Sequence, residues 1–170
     1  EDNVRMALTM KGTATFTGTS EADTIEATIN ASTRVTVNAG AGDDFITLNG
    51  TGGNFSSTLS LIDGGAGNDT LEQQGNQSAY RLVQSRSGWY LQTKDGSNSW
   101  NFSARLVNIE NVVFSDGSTI SFGQTGISNT AGTGASTLIG TSGDDTFKGS
   151  AGNDSFVGLG GRRIINKKKA

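Results

Sequence analysis

The chain has no cysteine, no histidine and no proline among its 170 residues. Without cysteine no disulfide can staple the fold, and without either Cys or His the usual zinc donor sets are missing. Ser/His/Asp and Cys/His nucleophile arrangements are excluded on the same ground. Hydrophobic residues make up only 33% and aromatics 7%. A thick apolar core is therefore not on offer, and something besides side-chain burial must hold the fold. No run of eighteen or more apolar residues occurs, so no membrane-spanning helix is expected. There is no P-loop, no HExxH and no dinucleotide fingerprint. Glu26, Glu72 and Glu110 could in principle furnish a glycosidase-like carboxylate pair, but no motif distinguishes any of them. We expect no catalytic residues and no organic cofactor. No signal-peptide pattern is visible. The sequence opens on Glu1 rather than Met, and we expect it to be an excerpt of a longer protein.

What the chain does have is glycine, 25 residues of it, and acid. The formal net charge is -3, but the last nine residues, RRIINKKKA, carry five positive charges, which leaves about -8 for residues 1–161. Acidic residues set in turns point to cations as partners and away from nucleic acid. The basic end could bind an acidic surface; the simpler reading is an unstructured or foreign tail over 162–170.

The glycine and the acid come together in a repeated phrase. Gly-x-x-Gly-x-Asp occurs as GGAGND (64–69), GTSGDD (140–145) and GSAGND (149–154), with weaker copies GTSEAD (18–23) and AGAGDD (39–44). Two residues after each Asp stands an apolar residue: Ile25, Ile46, Leu71, Phe147 and Phe156. The pattern predicts a turn followed by a short strand whose apolar side chain points inward. A Gly/Asp turn that only reverses the chain would have the same local composition. Calcium, however, takes six to eight oxygen ligands and accepts backbone carbonyls, and glycine allows the dihedrals that gather carbonyls around one point.

GGAGNDTLE (64–72) resembles, at every position, the nonapeptide repeat of the RTX, or hemolysin-type, calcium-binding family of secreted bacterial proteins. GTSGDDTFK and GSAGNDSFV match it at all but the second glycine. The resemblance implies an all-β fold, a right-handed parallel β-roll or β-helix, with calcium held between stacked turns by carbonyls and by the Asp carboxylates. Carried onto this chain, the metal-site residues would be Asp23; Gly40, Gly42 and Asp44; Gly64, Gly65, Gly67 and Asp69; Gly140, Gly143 and Asp145; and Gly149, Gly152 and Asp154. It further implies a secreted, extracellular or cell-surface module in a bacterium, whose partners are calcium and the rest of a larger chain. Two further settings stay open. One is an adhesin module binding a polysaccharide or a cell surface; the other is the non-catalytic end of a secreted enzyme such as an alginate epimerase, protease or lipase.

The spacing of the copies predicts the organisation. Starts at 140, 149 and 158 are nine residues apart, whereas 18, 39 and 64 are separated by 21 and 25. The first group should form one calcium lane with Asp23, Asp44 and Asp69 above one another, over strands TIEATI, RVTVNA, FITL and TLSLID. We expect an N-terminal strand or cap over 1–17, irregular calcium-binding coils over 18–72 and a β-hairpin insert over 73–122. A linker or loose coil over 123–136 and a second repeat array over 137–161 follow. In the insert, AYRLVQS and GWYLQTK read as a hairpin, and SDGS as the turn between NVVF and TISF. Trp89, Tyr80, Tyr90 and Trp100 are either packing residues or a contact surface. At the C-terminal end Arg163 stands where the register calls for Asp.

Overall fold

The computed structural model describes residues 5–9, 13–30, 34–51, 60–85, 88–94, 99–122, 127–140, 144–157 and 162–166. Their strands, in chain order, begin with β1 (Arg5–Thr9), β2 (Thr13–Thr17), β3 (Thr24–Asn30), β4 (Arg34–Ala41), β5 (Phe45–Thr51), β6 (Ser60–Ala66) and β7 (Thr70–Gln73). A 3-10 turn at Gln77–Ala79 leads into β8 (Tyr80–Ser85), β9 (Gly88–Lys94) and β10 (Trp100–Val107). Then come β11 (Asn111–Phe114), β12 (Thr119–Phe122), β13 (Ile127–Thr130), β14 (Thr137–Ile139), β15 (Asp145–Lys148), β16 (Ser155–Val157) and β17 (Arg163–Asn166).

From β1 to β7 successive strands alternate between two sheets, which makes the fold a β-solenoid. One sheet has nine strands in the order β1-β3-β5-β7-β11-β12-β13-β15-β17; the facing sheet has six, β2-β4-β6-β10-β9-β8; a pair, β14-β16, faces the C-terminal part. The reason lies in the alternation of short apolar and polar residues. In a strand, alternate side chains point to opposite faces, and one buried face fixes the register, because a slip by one residue would turn every apolar group outward. The in-register pairs stack like on like. Ile25, Ile46, Leu71 and Val112 are aligned across four parallel strands, and all four are fully buried. Phe16, Val37, Ile62 and Leu106 do the same on the facing sheet. The core is thus two main columns, flanked by shorter ones such as Ala27 with Leu48 and Ala14 with Val35, rather than a thick centre.

The insert completes a coil. β10 lies parallel to β6, and the hairpin β8–β9 is added antiparallel beyond it, with Tyr80 opposite Thr93 and Ser85 opposite Gly88. Its aromatic residues pack. Tyr80 and Trp89 lie against the main core, 5.4 Å from the ring of Phe114 and 5.2 Å from that of Phe122 respectively. Trp100 is half-buried under the Arg81 guanidinium, 4.6 Å from its ring centre.

Two stretches differ from expectation. Residues 127–130, inside the stretch expected to be a linker or loose coil, form β13, which pairs antiparallel to β12 and parallel to β15. Its alternation buries Ile127 and Asn129, a signal too short to stand out between glycines. The antiparallel strand β12 therefore interrupts an otherwise parallel stack and joins the two repeat regions. The basic end is also part of the sheet in its first half: β17 pairs in register with β15 although its side chains are exposed. What places it is the backbone ladder rather than burial.

Shortening Leu71, at 0% exposure, should cost far more than shortening Val157, at 41%. We expect Leu71→Ala to lower stability by about 2–5 kcal/mol, and Val157→Ala by no more than about 0.5 kcal/mol. Chemical denaturation in saturating calcium measures both. Equal losses would contradict the core described here.

Candidate metal centre

The turns of the N-terminal coils stack as closely as the strands. β4 and β6 keep pairing into their turns, with Gly40 opposite Gly65 and Ala41 opposite Ala66. Gly40, Gly42, Gly65 and Gly67 have φ of 116°, 105°, 97° and 151°, a region that side chains with a Cβ rarely enter. Gly64 is needed for a different reason. A methyl group there would run into the carboxylate of its own repeat, Asp69. Gly18 and Gly140 stand in the same relation to Asp23 and Asp145.

That geometry leaves each carboxylate turned into the fold. Asp23, Asp44 and Asp69 are 2%, 2% and 0% exposed and form a ladder along the stack. The Asp23 N–H donates to Asp44 Oδ1 at 2.7 Å, and the Asp44 N–H to Asp69 Oδ1 at 2.8 Å. The Asp69 N–H in turn donates to Glu110 Oε2 at 2.7 Å. Asp23 Oδ2 accepts from the Thr19 N–H at 2.6 Å and from its hydroxyl at 3.1 Å. Among the described residues, Asp44 Oδ2 and Asp69 Oδ2 are buried with no hydrogen-bond donor. A buried carboxylate oxygen without a donor carries a large desolvation cost, so its environment calls for a cation.

Electrostatics point the same way. The Asp44 carboxyl is held above the ordinary 3.8, first by burial and then by Asp69, Asp23 and Asp43, against the pull of the Asp23 N–H. The Asp69 carboxyl is likewise raised, first by burial and then by Glu110, Asp43 and Asp63, against the pull of the Asp44 N–H. Among the described residues, no group of three or more Asp, Glu, His or Cys side chains could hold a metal by itself. Any ion in the lane must therefore draw on backbone carbonyls as well. That donor set suits calcium and not zinc. The residues fit calcium.

The C-terminal repeats are built on two separate lanes. Asp145, 1% exposed, accepts from the Ile127 N–H at 3.2 Å, and the half-buried Asp154 accepts from the Ser136 N–H at 3.0 Å and the Ser150 N–H at 2.7 Å. Asp145 lies in the nine-stranded sheet and Asp154 beside the two-stranded one, so the structure does not bring them together. Gly149 approaches the Asp154 carboxylate and Gly152 packs on the Gly134 backbone; Gly143 lies outside the described residues. Arg163 is the in-register neighbour of Asp145, so the acid of this lane has a cation where the next acid would stand.

Sequence reasoning missed two groups. Asp43 Oδ1 accepts from the Asn68 N–H at 2.8 Å, and Asp144 Oδ1 from the Arg162 N–H at 2.7 Å; these second acids tie turn to turn on the outside. The other is Glu110, whose only signal was the acid-x-apolar spacing to Val112. Asp116, which reads as a plain turn residue, accepts from the Ser118 N–H at 2.9 Å and the Gln77 N–H at 3.1 Å and so anchors the insert.

A carboxyl whose value is raised in the fold stabilises that fold fully only below its unfolded value near 3.8. The contribution is lost as pH rises through the raised folded value. Without metal, lowering the pH from 7 towards 4.5 should therefore raise the β signal of the chain. In saturating calcium, protonation removes ligands and the same change should lower it. Trends of the same sign in both conditions would contradict the lane electrostatics.

The chain carries four copies of the RTX calcium-binding nonapeptide repeat, matched over residues 61–72 and 130–165. The crystal structure of the extracellular lipase LipA from Serratia marcescens superposes with a TM-score of 0.50 at 19% identity. The match covers 94% of this chain and 28% of the lipase chain, and shows a shared fold. Among curated protein sequences nothing matches.

Proposed function

We propose that this chain, an RTX-repeat β-solenoid, is a module that folds on binding calcium and so gives a larger secreted protein a switchable, rigid segment. The observation that carries the reading is the buried ladder Asp23–Asp44–Asp69, with Asp44 Oδ2 and Asp69 Oδ2 lacking a donor among the described residues. Bound calcium supplies positive charge to that ladder. The glycines at 40, 42, 64, 65 and 67 let the turns stack closely enough for carbonyls to contribute, and the aspartates supply the charged oxygens. We read residues 18–72 and 137–161 as two calcium arrays, with Asp145 and Asp154 the acids of the second. The insert over 73–122 lies between them.

Metal affinity of a site that exists only in the folded chain is folding free energy. In the calcium-poor cytoplasm such a chain would stay unfolded, ready for export, and it would fold outside the cell. The lipase that shares the fold is an extracellular protein, in keeping with that setting. The insert's aromatics favour a scaffold over a glycan-binding surface, because Tyr80 and Trp89 are spent on packing.

Circular dichroism during a calcium titration tests the proposal. Metal-free protein should lose much of its β signal, regain it with calcium and regain little with magnesium, which prefers a small octahedral site and keeps its waters. An unchanged spectrum and melting temperature in excess chelator would falsify the reading. Among variants, Asp69→Ala should lower the calorimetric calcium count. Asp116→Asn should leave the count intact while destabilising the insert. Equal counts in these two variants would contradict the assignment of the lane.

A further inference from the structure

In sequence the glycine-rich motif of the first lane stops at Asp69; in space the stack goes on. We propose that the turn 108–110 closes a further calcium site above Asp69. The Glu110 carboxylate and the Asn108 carbonyl would be its donors from the fourth coil. The proposal rests on the reading of the lane as calcium-binding.

Glu110 occupies the ladder position of an aspartate. It stands two residues before Val112, which is aligned with Leu71, as Asp69 stands two residues before Leu71. Its oxygen accepts the Asp69 N–H at 2.7 Å, matching the 2.7 and 2.8 Å of the two rungs below. Asn108 takes the part of a turn glycine. Its φ of 48° is the only positive value among the described non-glycine residues, and asparagine is one of the few residues that tolerate this region. Its side chain is tied down by a 2.9 Å bond from Nδ2 to Asp63 Oδ1.

The oxygens then repeat an arrangement found lower in the stack. A methyl group at Gly18 would meet the Ala39 carbonyl of the next coil together with Asp23 Oδ2. A methyl group at Gly64 would meet the Asn108 carbonyl of the next coil together with Asp69 Oδ2. Among the described residues Asp69 Oδ2 is buried without a donor, and it approaches the same Gly64 position as the Asn108 carbonyl. The fourth turn is shorter. Val107 is aligned with Asp63 and Asn111 with Thr70, so residues 108–110 span what residues 64–69 span below. The longer arm of glutamate suits a turn that has lost residues, and the change hides the site from a search for Gly-x-x-Gly-x-Asp.

Calorimetric calcium titration of the full chain, Glu110→Gln and Glu72→Gln tests this. The glutamine keeps an oxygen for the Asp69 N–H and removes only the charge. Glu72 lies outside the lane, where its Oε2 accepts from the Thr47 hydroxyl. We expect E110Q to bind one calcium fewer than the unaltered chain, and E72Q to bind the full number. Without metal, E110Q should show no less β signal than the unaltered chain, since a like charge beside Asp69 has gone. An unchanged count and affinity in E110Q would overturn the proposal. Should E110Q fail to fold even in calcium, carbon NMR of the unaltered chain decides. The Glu110 carboxyl resonance should move with the calcium titration, and a resonance that stays put overturns the assignment. Absence of any calcium binding by the unaltered chain would defeat the reading of the whole lane; a full count in E110Q defeats only the site above Asp69.

Discussion

Three buried carboxylates stand one strand apart, and everything else in the N-terminal half has to accommodate them. Adjacent strands are about 4.8 Å apart. At an effective dielectric of about 20, two unit charges at that separation repel by roughly 3 kcal/mol. The thin core cannot absorb such a cost several times over. Asp23, Asp44 and Asp69 share backbone donors from rung to rung, which orients each carboxylate but does not neutralise it. On the proposed reading a metal-free chain sits near the edge of stability, and a cation in the lane moves it away from that edge. The glycines follow from the same constraint, since only turns without Cβ atoms let the carboxylates and the carbonyls of adjacent coils come so close.

The thinness of the core is then a consequence rather than a defect. Each coil adds one apolar residue to each column, Ile46 and Ile62 for example, and a solenoid gains stability from neighbour to neighbour. Where the repeat lapses, other contacts substitute. The hairpin β8–β9 brings Tyr80 and Trp89 onto the column ends, and β12 reverses direction so that the second array can start. Further along, Asp145 is aligned in register with Arg163, a cation where the lane below has an acid.

Much of this was legible in the sequence because its causes are local. The acid-x-apolar spacing fixes which side chain turns into the column, and the alternation in TIEATI, RVTVNA, FITL and TLSLID marks β3 to β6, although the observed strands run on beyond those stretches, β6 into Gly64–Ala66. The hairpin at 80–94 and the turn between Phe114 and Thr119 carried ordinary turn signals. What was not legible depends on long-range pairing. β13 is four residues among glycines and is specified by β12 and β15 on either side. β17 has no buried face at all and is held by its pairing to β15. Glu110 enters the ladder only because the chain returns, 41 residues on, to the register of Asp69, and no local pattern encodes that return.

The central claim is that the lane is rigid only when its carboxylates are neutralised by calcium. Hydrogen exchange at the Asp23, Asp44 and Asp69 amides reads this directly, since each of these N–H groups donates to the next carboxylate in the lane. Amides in a firmly folded unit exchange only through its opening. The account predicts strong protection of all three amides in calcium and its collective loss when calcium is removed. Equal protection in both conditions would show that the ladder stands without the metal and would contradict the account.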